Sequence, residues 1–318
     1  LKYNERYAID GEDVSDEVII NAFELIEAKR EDIKLTYFEF STLAAFIIFE
    51  KAEVDIAILE VGLGGRLDSV NVVDSDVSII TNIAIDHTDY LGDTREAIGR
   101  EKAGVMRGSR PCICGDQDPP QSLLAYAKEI GTDITFVRKA YEDDIGLEGD
   151  HQRLNAAVAI QAVESLKEQL PISLSMIIQG VKSATIKARF EKIEIGEKTI
   201  ILDVAHNPAA VKTLVDTLSK SSMQTVAIFS ALIDKDIIEM VDLASNAIKH
   251  WYLVPLTAER AIESDALKNK FSNPESTTIC QDMNSAIQES LAYKEAERIV
   301  IFGSFYTIAD ASIIINEL

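Results

Sequence analysis

TIILDVAHNPAAVKTLV, from Thr199 to Val215, decides the fold of the second half of the chain. A continuous apolar run ends in Asp203, Asn207 and Pro208 then signal a helix start, and the spacing of Val211, Leu214 and Val215 gives the helix one apolar face. Continuous apolar strands followed at once by amphipathic helices belong to parallel sheets covered on both faces. The same alternation recurs downstream. KTIILDVAH, QTVAIFSAL, HWYLVPLT, TTICQD and ERIVIFGSF read as five strands, with helix starts near Pro208, Asp234, Glu263 and Asp282. This predicts a Rossmann-like, doubly wound α/β domain over residues 189–318. Ligands of such sheets bind beyond the carboxyl ends of the strands, which directs attention to Asp203, His206, Ser230, Gly303 and Ser304. The helix start at Asn207 adds free N–H groups and a positive dipole end.

Working back toward the N-terminus, VDIAILEVG, VSIITNIAID, RPCICG and DITFV read as strands. Helices are expected to start at Ser15 and near Thr36, Thr94 and Pro120. Residues 151–187 read as helix, and the polar stretch KARFEKIEIGEK reads as a junction. Residues 1–188 are thus expected to form a first α/β domain with a mostly parallel sheet. With 31 basic against 53 acidic residues, the formal charge of -22 argues against nucleic acid and anionic membranes as partners. The longest apolar run, Leu43 to Phe49, is far short of the roughly 20 residues of a membrane span. A cytoplasmic protein, acting as a monomer, is expected. Cys112, Cys114 and Cys280 are odd in number and fit neither a zinc ribbon nor a disulfide framework, so reduced buried thiols are expected.

In so acidic a chain the basic residues inside motifs stand out: Arg66, Lys102, Arg110 and Arg189. LEVGLGGRLDSVNVV, Leu59 to Val73, places Glu60 at an expected strand end before glycines at 62, 64 and 65. The spacing is not GxGxxG, which argues against a dinucleotide-dependent dehydrogenase. Asp86 and His87 end the next expected strand, where a carboxylate and an imidazole can share a divalent cation. Of four histidines, His87, His151 and His206 fall at element junctions, whereas His250 begins an apolar strand and reads as structural. Lys102 lies on a helix where its ordinary role would be to pair with Glu101 or Glu96.

FEFSTLAAF, LEVGLGGRLDSVN, IDHTDYLGDT, REKAGVMR, HQRLNAA, RFE, LDVAHNPAA, FSALIDKD and GSFYT follow one another in an order that resembles the folylpolyglutamate synthase and dihydrofolate synthase family, relatives of the Mur ligases. The resemblance implies a central ATPase-like ligase domain followed by the Rossmann-like one. It also implies ATP-dependent addition of L-glutamate to dihydropteroate or a folate through an acyl phosphate. A carboxylate needs a good leaving group before an amine can attack it, and phosphoryl transfer depends on cationic charge rather than on a protein nucleophile. Position by position, the resemblance implies Glu60, His87 and Lys102 as metal-site residues for Mg2+, with Lys102 carbamylated in relatives. It implies Arg66 and Asp68 at the pterin substrate, and Asn155, Arg189 and Asp203 at ATP. It implies His206 and Ser304 at the incoming glutamate or the domain cleft, and Lys102, Asp203 and His206 as the catalytic set.

Departures accompany the matches. Lys187-Ala188-Arg189 stands where relatives read Pro-Gly-Arg, Asp150 where Arg is common, Val204 where Gly is usual and Tyr306 where His is frequent. Relatives carry a GTNGKGS-type phosphate loop upstream of the Asn4-Glu5-Arg6 motif, and no GxxGK[ST] occurs in these 318 residues. The chain by itself is therefore expected to hydrolyse ATP negligibly and to form no glutamyl amide. Two other readings are a Mur- or cyanophycin-type ligase for another amino acid, and a catalytically dead scaffold that keeps the fold.

Overall fold

The computed structural model describes residues 2–258 and 260–318. By contacts the chain divides into two compact units, one of Leu1–Tyr141 with Leu154–Ser173, the other of Glu142–Arg153 with Leu174–Leu318. This division differs from the expected one at 188/189. Both units are α/β, with parallel sheets.

The first unit opens with a short hairpin, β1 (Ala8–Ile9) and β2 (Glu12–Asp13), and two helices, α1 (Asp16–Arg30) and α2 (Tyr37–Lys51). Ser15 caps α1 as expected, and Thr36 with Glu39 forms a reciprocal capping box on α2. The helices close on a core of Tyr7, Ile19, Ala22, Ile26, Ala44 and Ile48. Next come β3 (Ser78–Ile80), α3 (Thr88–Leu91), α4 (Arg95–Ala103), β4 (Cys112–Cys114), α5 (Gln121–Ile130), β5 (Ile134–Phe136) and α6 (Asp150–Ser165). The strands form a parallel sheet in the order β3-β4-β5. Ile98, Ala103, Leu123 and Ala127 of α4 and α5 cover one face, and Val158 and Ala162 of α6 cover the other.

One expected strand is absent among the described residues. The run from Val54 to Gly62 joins no ladder, and Ile56 and Ile58 are exposed, Ile58 by 88%. Apolar, β-branched residues become a strand only when a neighbouring backbone takes their N–H and C=O groups, and none of the described residues does so here. An apolar groove of about 850 Å3 runs between α1, α2 and this segment, lined by Leu25, Ile33, Phe46, Ala57 and Leu59 among others. It contains none of the expected site residues.

After Glu142–Arg153 the second unit continues with α7 (Leu174–Ser183), and the stretch 151–187 that reads as helix consists of two helices, parted around Pro171. KARFEKIEIGEK, expected as a junction, contains β6 (Glu191–Ile195), which turns at Gly196 into β7 (Lys198–Leu202) as an antiparallel pair. Its alternating exposed and half-buried residues are those of an edge strand, which a search for continuous apolar runs overlooks. Beyond follow α8 (Pro208–Leu218), β8 (Thr225–Phe229), α9 (Ile237–Ala244), β9 (Trp251–Leu253) and α10 (Ser264–Lys268). The unit ends with β10 (Thr277–Ile279), α11 (Met283–Ala292), β11 (Arg298–Phe302) and α12 (Phe305–Ile315).

Among the described residues the sheet has six strands in the order β10-β9-β8-β11-β7-β6, parallel except for β6. Side chains alternate across it. Ile201, Phe229, Val300 and Phe302 meet Val211 and Leu214 of α8 and Met240 of α9 on one face. Ile200, Leu202, Ile228 and Ile301 meet Ala286 and Ile287 of α11 and Ile308 and Ala311 of α12 on the other. Strand β11 lies between β7 and β8, so the chain reverses direction of travel across the sheet there. That is the switch point at which doubly wound sheets leave a crevice. All three cysteines are free and buried, and burial pushes the Cys112 thiol up to about 11 and Cys280 to about 12. No helix among the described residues is long and apolar enough to cross a membrane.

The turn into β6 has an unusual backbone. Ala188 and Phe190, both buried, hold φ of +58° and +50° on either side of exposed Arg189. For an L-residue with a Cβ this conformation costs about 1–2 kcal/mol. Ala188→Gly is expected to raise the unfolding free energy by about 1 kcal/mol in urea titrations. An unchanged or lower midpoint would show that the turn carries no such strain.

Candidate active site

In the first unit the glycine-rich loop is held from both sides. On the α2 side, the Ser69 hydroxyl lies 2.7 Å from that of Thr42. On the α4 side, Arg66 N–H donates to the Glu101 carbonyl at 2.8 Å, and its guanidinium holds the Glu101 carboxylate through Nε and Nη2 at 3.0 and 2.9 Å. The contact is close because both chains are glycine there. A Cβ on Gly104 would lie 2.4 Å from that of Arg66, and one on Gly65 would lie 2.9 Å from the Glu101 carbonyl oxygen. Asn71 reaches back to the Gly104 carbonyl at 2.9 Å.

Arg66 and Asp68, read from sequence as substrate contacts, are thus occupied in building the loop. The Asp68 carboxylate accepts from Leu63 N–H at 2.9 Å and Val70 N–H at 3.0 Å and caps the short 3-10 turn Ser69–Val72. In this structure both side chains help to fix the backbone between Leu63 and Val73.

Lys102 departs from its ordinary expectation in the opposite sense. Both acids that could pair with it are committed elsewhere. Glu101 holds Arg66, and Glu96 accepts from the N–H groups of Gln121 and Ser122 at the start of α5, which draws its carboxyl below the usual range. Among the described residues the half-buried Lys102 ammonium makes no hydrogen bond or ion pair. His87 begins α3 in the left-handed region at φ +51°, a strained conformation for a non-glycine residue. Its ring is 60% exposed, with Nε2 at 4.0 Å from the Asp86 carboxylate. Glu60 is exposed near the end of the run that joins no ladder.

Asp116, unremarked in the sequence, links these pieces. It is buried at the end of β4 and accepts from Ile83 N–H, from Asp118 N–H at 2.9 Å and from Arg95 of α4 at 2.9 Å. It ties the segment leading to His87 to the helix that carries Lys102. Only its acidic side chain after an apolar strand would have marked it.

In the second unit, Asp203 plays a similar part. It ends β7 with its carboxylate accepting from Phe190 N–H at 2.9 Å and Ala205 N–H at 2.8 Å. Burial pushes its carboxyl up, and those two N–H groups and Arg189 oppose the shift. The same carboxylate therefore fixes the turn that presents Arg189 and the turn that leads to His206. His151 adds to this cluster, although the sequence reading gave it no role. Burial draws its ring below the ordinary value, Asp203 raises it and Arg189 lowers it. Four residues along α6 from His151, Asn155 is exposed and follows on the same helical face.

His206 is half-buried, with Nδ1 at 2.9 Å from the Val204 carbonyl and its ring 5.6 Å from that of Phe305. Asn207 caps α8 and Ser304 caps α12, so two helix N-termini face the carboxyl ends of β7 and β11. Ser304 is buried, its hydroxyl spent on Thr307 N–H at 3.0 Å and the Thr307 hydroxyl at 2.7 Å. It builds the crevice rather than standing open in it. Ser230 is also fully buried at the end of β8. His250 is structural as read, with Nε2 2.8 Å from the Thr278 hydroxyl and its ring stacked on Tyr293.

Residues 17–120 match the Mur ligase middle domain, and residues 188–305 the Mur ligase glutamate ligase domain. The dihydrofolate synthase/folylpolyglutamate synthase of Escherichia coli K12 is 33% identical over 335 residues, covering 99% of this chain and 78% of that protein. The chain belongs to the dihydrofolate synthase/folylpolyglutamate synthase family of Mur ligases. The folylpolyglutamate synthase of Lacticaseibacillus casei is 32% identical over 292 residues, covering 80% of this chain and 68% of that protein. Among solved structures, E. coli FolC in complex with DHPP and ADP superposes with a TM-score of 0.89 at 32% identity, covering 100% of this chain and 80% of that one. The bifunctional synthase of Yersinia pestis complexed with AMPPNP and Mn ion gives 0.87 at 36% identity, with 99% and 80% covered.

Asp116→Ala removes the acceptor of two backbone N–H groups and the partner of Arg95. It is expected to lower the stability of the first unit by about 2–3 kcal/mol. A change in urea midpoint equivalent to less than about 0.5 kcal/mol would deny Asp116 this organising role.

Proposed function

We propose that the protein is a cytoplasmic ATP-dependent ligase that joins L-glutamate in amide linkage to the carboxylate of dihydropteroate or a folate. ATP phosphorylates that carboxylate, and the glutamate amine then displaces phosphate from the acyl phosphate. Support comes chiefly from the match of 99% of the chain to the bifunctional E. coli enzyme. Relatives have been solved with DHPP and ADP, and with Mn, AMPPNP and L-glutamate. Relatives matched over nearly the whole chain are folate-type enzymes, which does not favour a Mur-type ligase for another amino acid.

Each residue type has a chemical reason to be there. Among the described residues no three His, Cys, Asp or Glu side chains form a metal cage. One carboxylate from Glu60 and one imidazole from His87 is nevertheless a donor set that fits Mg2+, whose other ligands are commonly waters and nucleotide phosphates. Such an ion supplies positive charge to the phosphates during transfer. Lys102, with neither neighbouring acid left to neutralise it, is the side chain we assign to carbamylation, which would turn an unpaired cation into an anionic ligand. Arg66 and Asp68 shape the loop that receives the pterin substrate. Asn155, Arg189 and Asp203 serve the nucleotide, Arg189 directly and Asp203 by holding its turn. His206, with Ser304 behind it, serves the incoming glutamate.

The test uses the protein expressed from its complete gene, supplied with ATP, Mg2+, labelled glutamate and either dihydropteroate or tetrahydrofolate. The expected result is a glutamylated product with at least one acceptor. Glu60→Ala and His87→Ala should each lower turnover on the order of 100-fold, with thermal unfolding unchanged. Wild-type turnover in either variant removes that residue from the metal site, and no glutamylation of either acceptor by wild type refutes the proposal.

A further inference from the structure

The incoming glutamate brings two carboxylates to a chain whose formal charge is -22, so its site needs cations that the fold has not already neutralised. Of the second unit's arginines, Arg153 donates to the Glu142 and Asp143 carbonyls, and Arg298 is buried against the Thr225 hydroxyl and the Leu218 carbonyl. Arg189 sits in the turn assigned above to the nucleotide. Arg260 remains. Its side chain is 64% exposed, and among the described residues its one ion-pair partner is Asp234, with Nη1 at 3.5 Å from Oδ2. That oxygen is also 3.3 Å from Lys235 Nζ, so a single carboxylate is shared by two cations and leaves one positive charge over. Asp236, the next acid of this loop, caps α9 through Glu239 N–H at 3.2 Å. A contact through one terminal nitrogen leaves Nε and Nη2 of the guanidinium, the fork that matches a carboxylate, unengaged.

The backbone fixes where that fork lies. Ile233 N–H donates to the Arg260 carbonyl at 2.9 Å and Ile262 N–H to the Ala231 carbonyl at 3.2 Å, and Leu232 and Ala261 face one another as an antiparallel bridge. The chain leaving β9 is thereby stitched to the chain leaving β8, beyond the carboxyl end of the sheet. His206 and Ser304 follow β7 and β11 at the same end, and the order β8-β11-β7 sets β8 about 10 Å from β7. We propose that the Arg260 guanidinium binds the side-chain carboxylate of the incoming glutamate and thereby selects it over amino acids with uncharged side chains, an assignment that rests on the ligase reading above. The amine and the α-carboxylate share one carbon and stay together in the crevice beside His206. The side-chain carboxylate, three bonds further on, reaches along the sheet edge toward β8, where an extended arginine covers the rest of the interval. An uncharged side chain in the same place would leave the guanidinium without the partner its fork is shaped for.

Glutamine is the discriminating probe, because it has the length and shape of glutamate without the side-chain charge. The protein expressed from its complete gene is assayed with ATP, Mg2+, the folate-type acceptor and varied glutamate, with glutamine added as a competitor so that it needs only to bind. Arg260→Gln is expected to raise KM for glutamate about 30-fold, with kcat and the KM values for ATP and acceptor within about twofold of wild type. The inhibition constant of glutamine should also stay within about twofold, so the preference for glutamate shrinks by the factor that its KM rises. Arg260→Lys, which keeps the charge but not the fork, should fall between wild type and Arg260→Gln. Thermal unfolding should be unchanged in both, because the side chain is exposed and the bonds that stitch its loop come from the backbone. An unchanged KM for glutamate would overturn the assignment. Equal weakening of glutamine would overturn it too, since Arg260 would then act on the α-carboxylate or on the fold, as would a loss confined to ATP or the acceptor. If wild type adds no glutamate to the acceptor, the ligase reading itself fails and takes this contact with it.

Discussion

The Asp203 carboxylate is the constraint on which the second unit's crevice depends. Two N–H groups from different turns, those of Phe190 and Ala205, converge on its two oxygens. Neither turn has another way to satisfy those donors within the sheet, since β7 ends at Leu202. The burial that raises this carboxyl also strengthens its hold on the two donors, because a hydrogen bond in a poorly solvated place competes less with water. Arg189 on one side and His206 on the other inherit their positions from it. Removing the acid would free two turns at once.

The first unit is organised by the same device, with different residues. Asp116 gathers Ile83, Asp118 and Arg95 at the end of β4. Arg66 and Glu101 clamp the glycine loop to the end of α4. Asp116 and Asp203 each sit where a parallel strand stops and backbone donors lose their ladder partners. The residues proposed for metal and substrate, His87, Lys102 and His206, are by contrast sparingly bonded to the rest of the protein. Side chains with full hydrogen-bond sets build the site, and side chains left with unused capacity are the ones available to ligands.

This division explains how far the sequence could be read. The five strands from Lys198 onward were legible because both faces of a parallel sheet are buried, which leaves continuous apolar runs such as TVAIF and RIVIF. Strand β6 was not, because an edge strand alternates and its polar residues resembled a linker. The run at Val54 to Gly62 has the composition of a strand, yet pairing is a property of two backbones and cannot be read from one. Arg66 and Asp68 stood in the right motif, but a charged residue beside glycines looks alike whether it faces a ligand or its own loop. Asp116 gave no pattern and His151 only a place at an element junction, since much of their importance comes from distant partners such as Arg95 and Asp203.

The central claim is that amide formation passes through an acyl phosphate made from the pterin substrate's carboxylate. It is tested most directly by labelling both oxygens of that carboxylate with oxygen-18. The protein expressed from its complete gene is then supplied with ATP, Mg2+ and glutamate. One labelled oxygen should appear in inorganic phosphate for each amide bond formed. Amide formation with unlabelled phosphate would contradict the account.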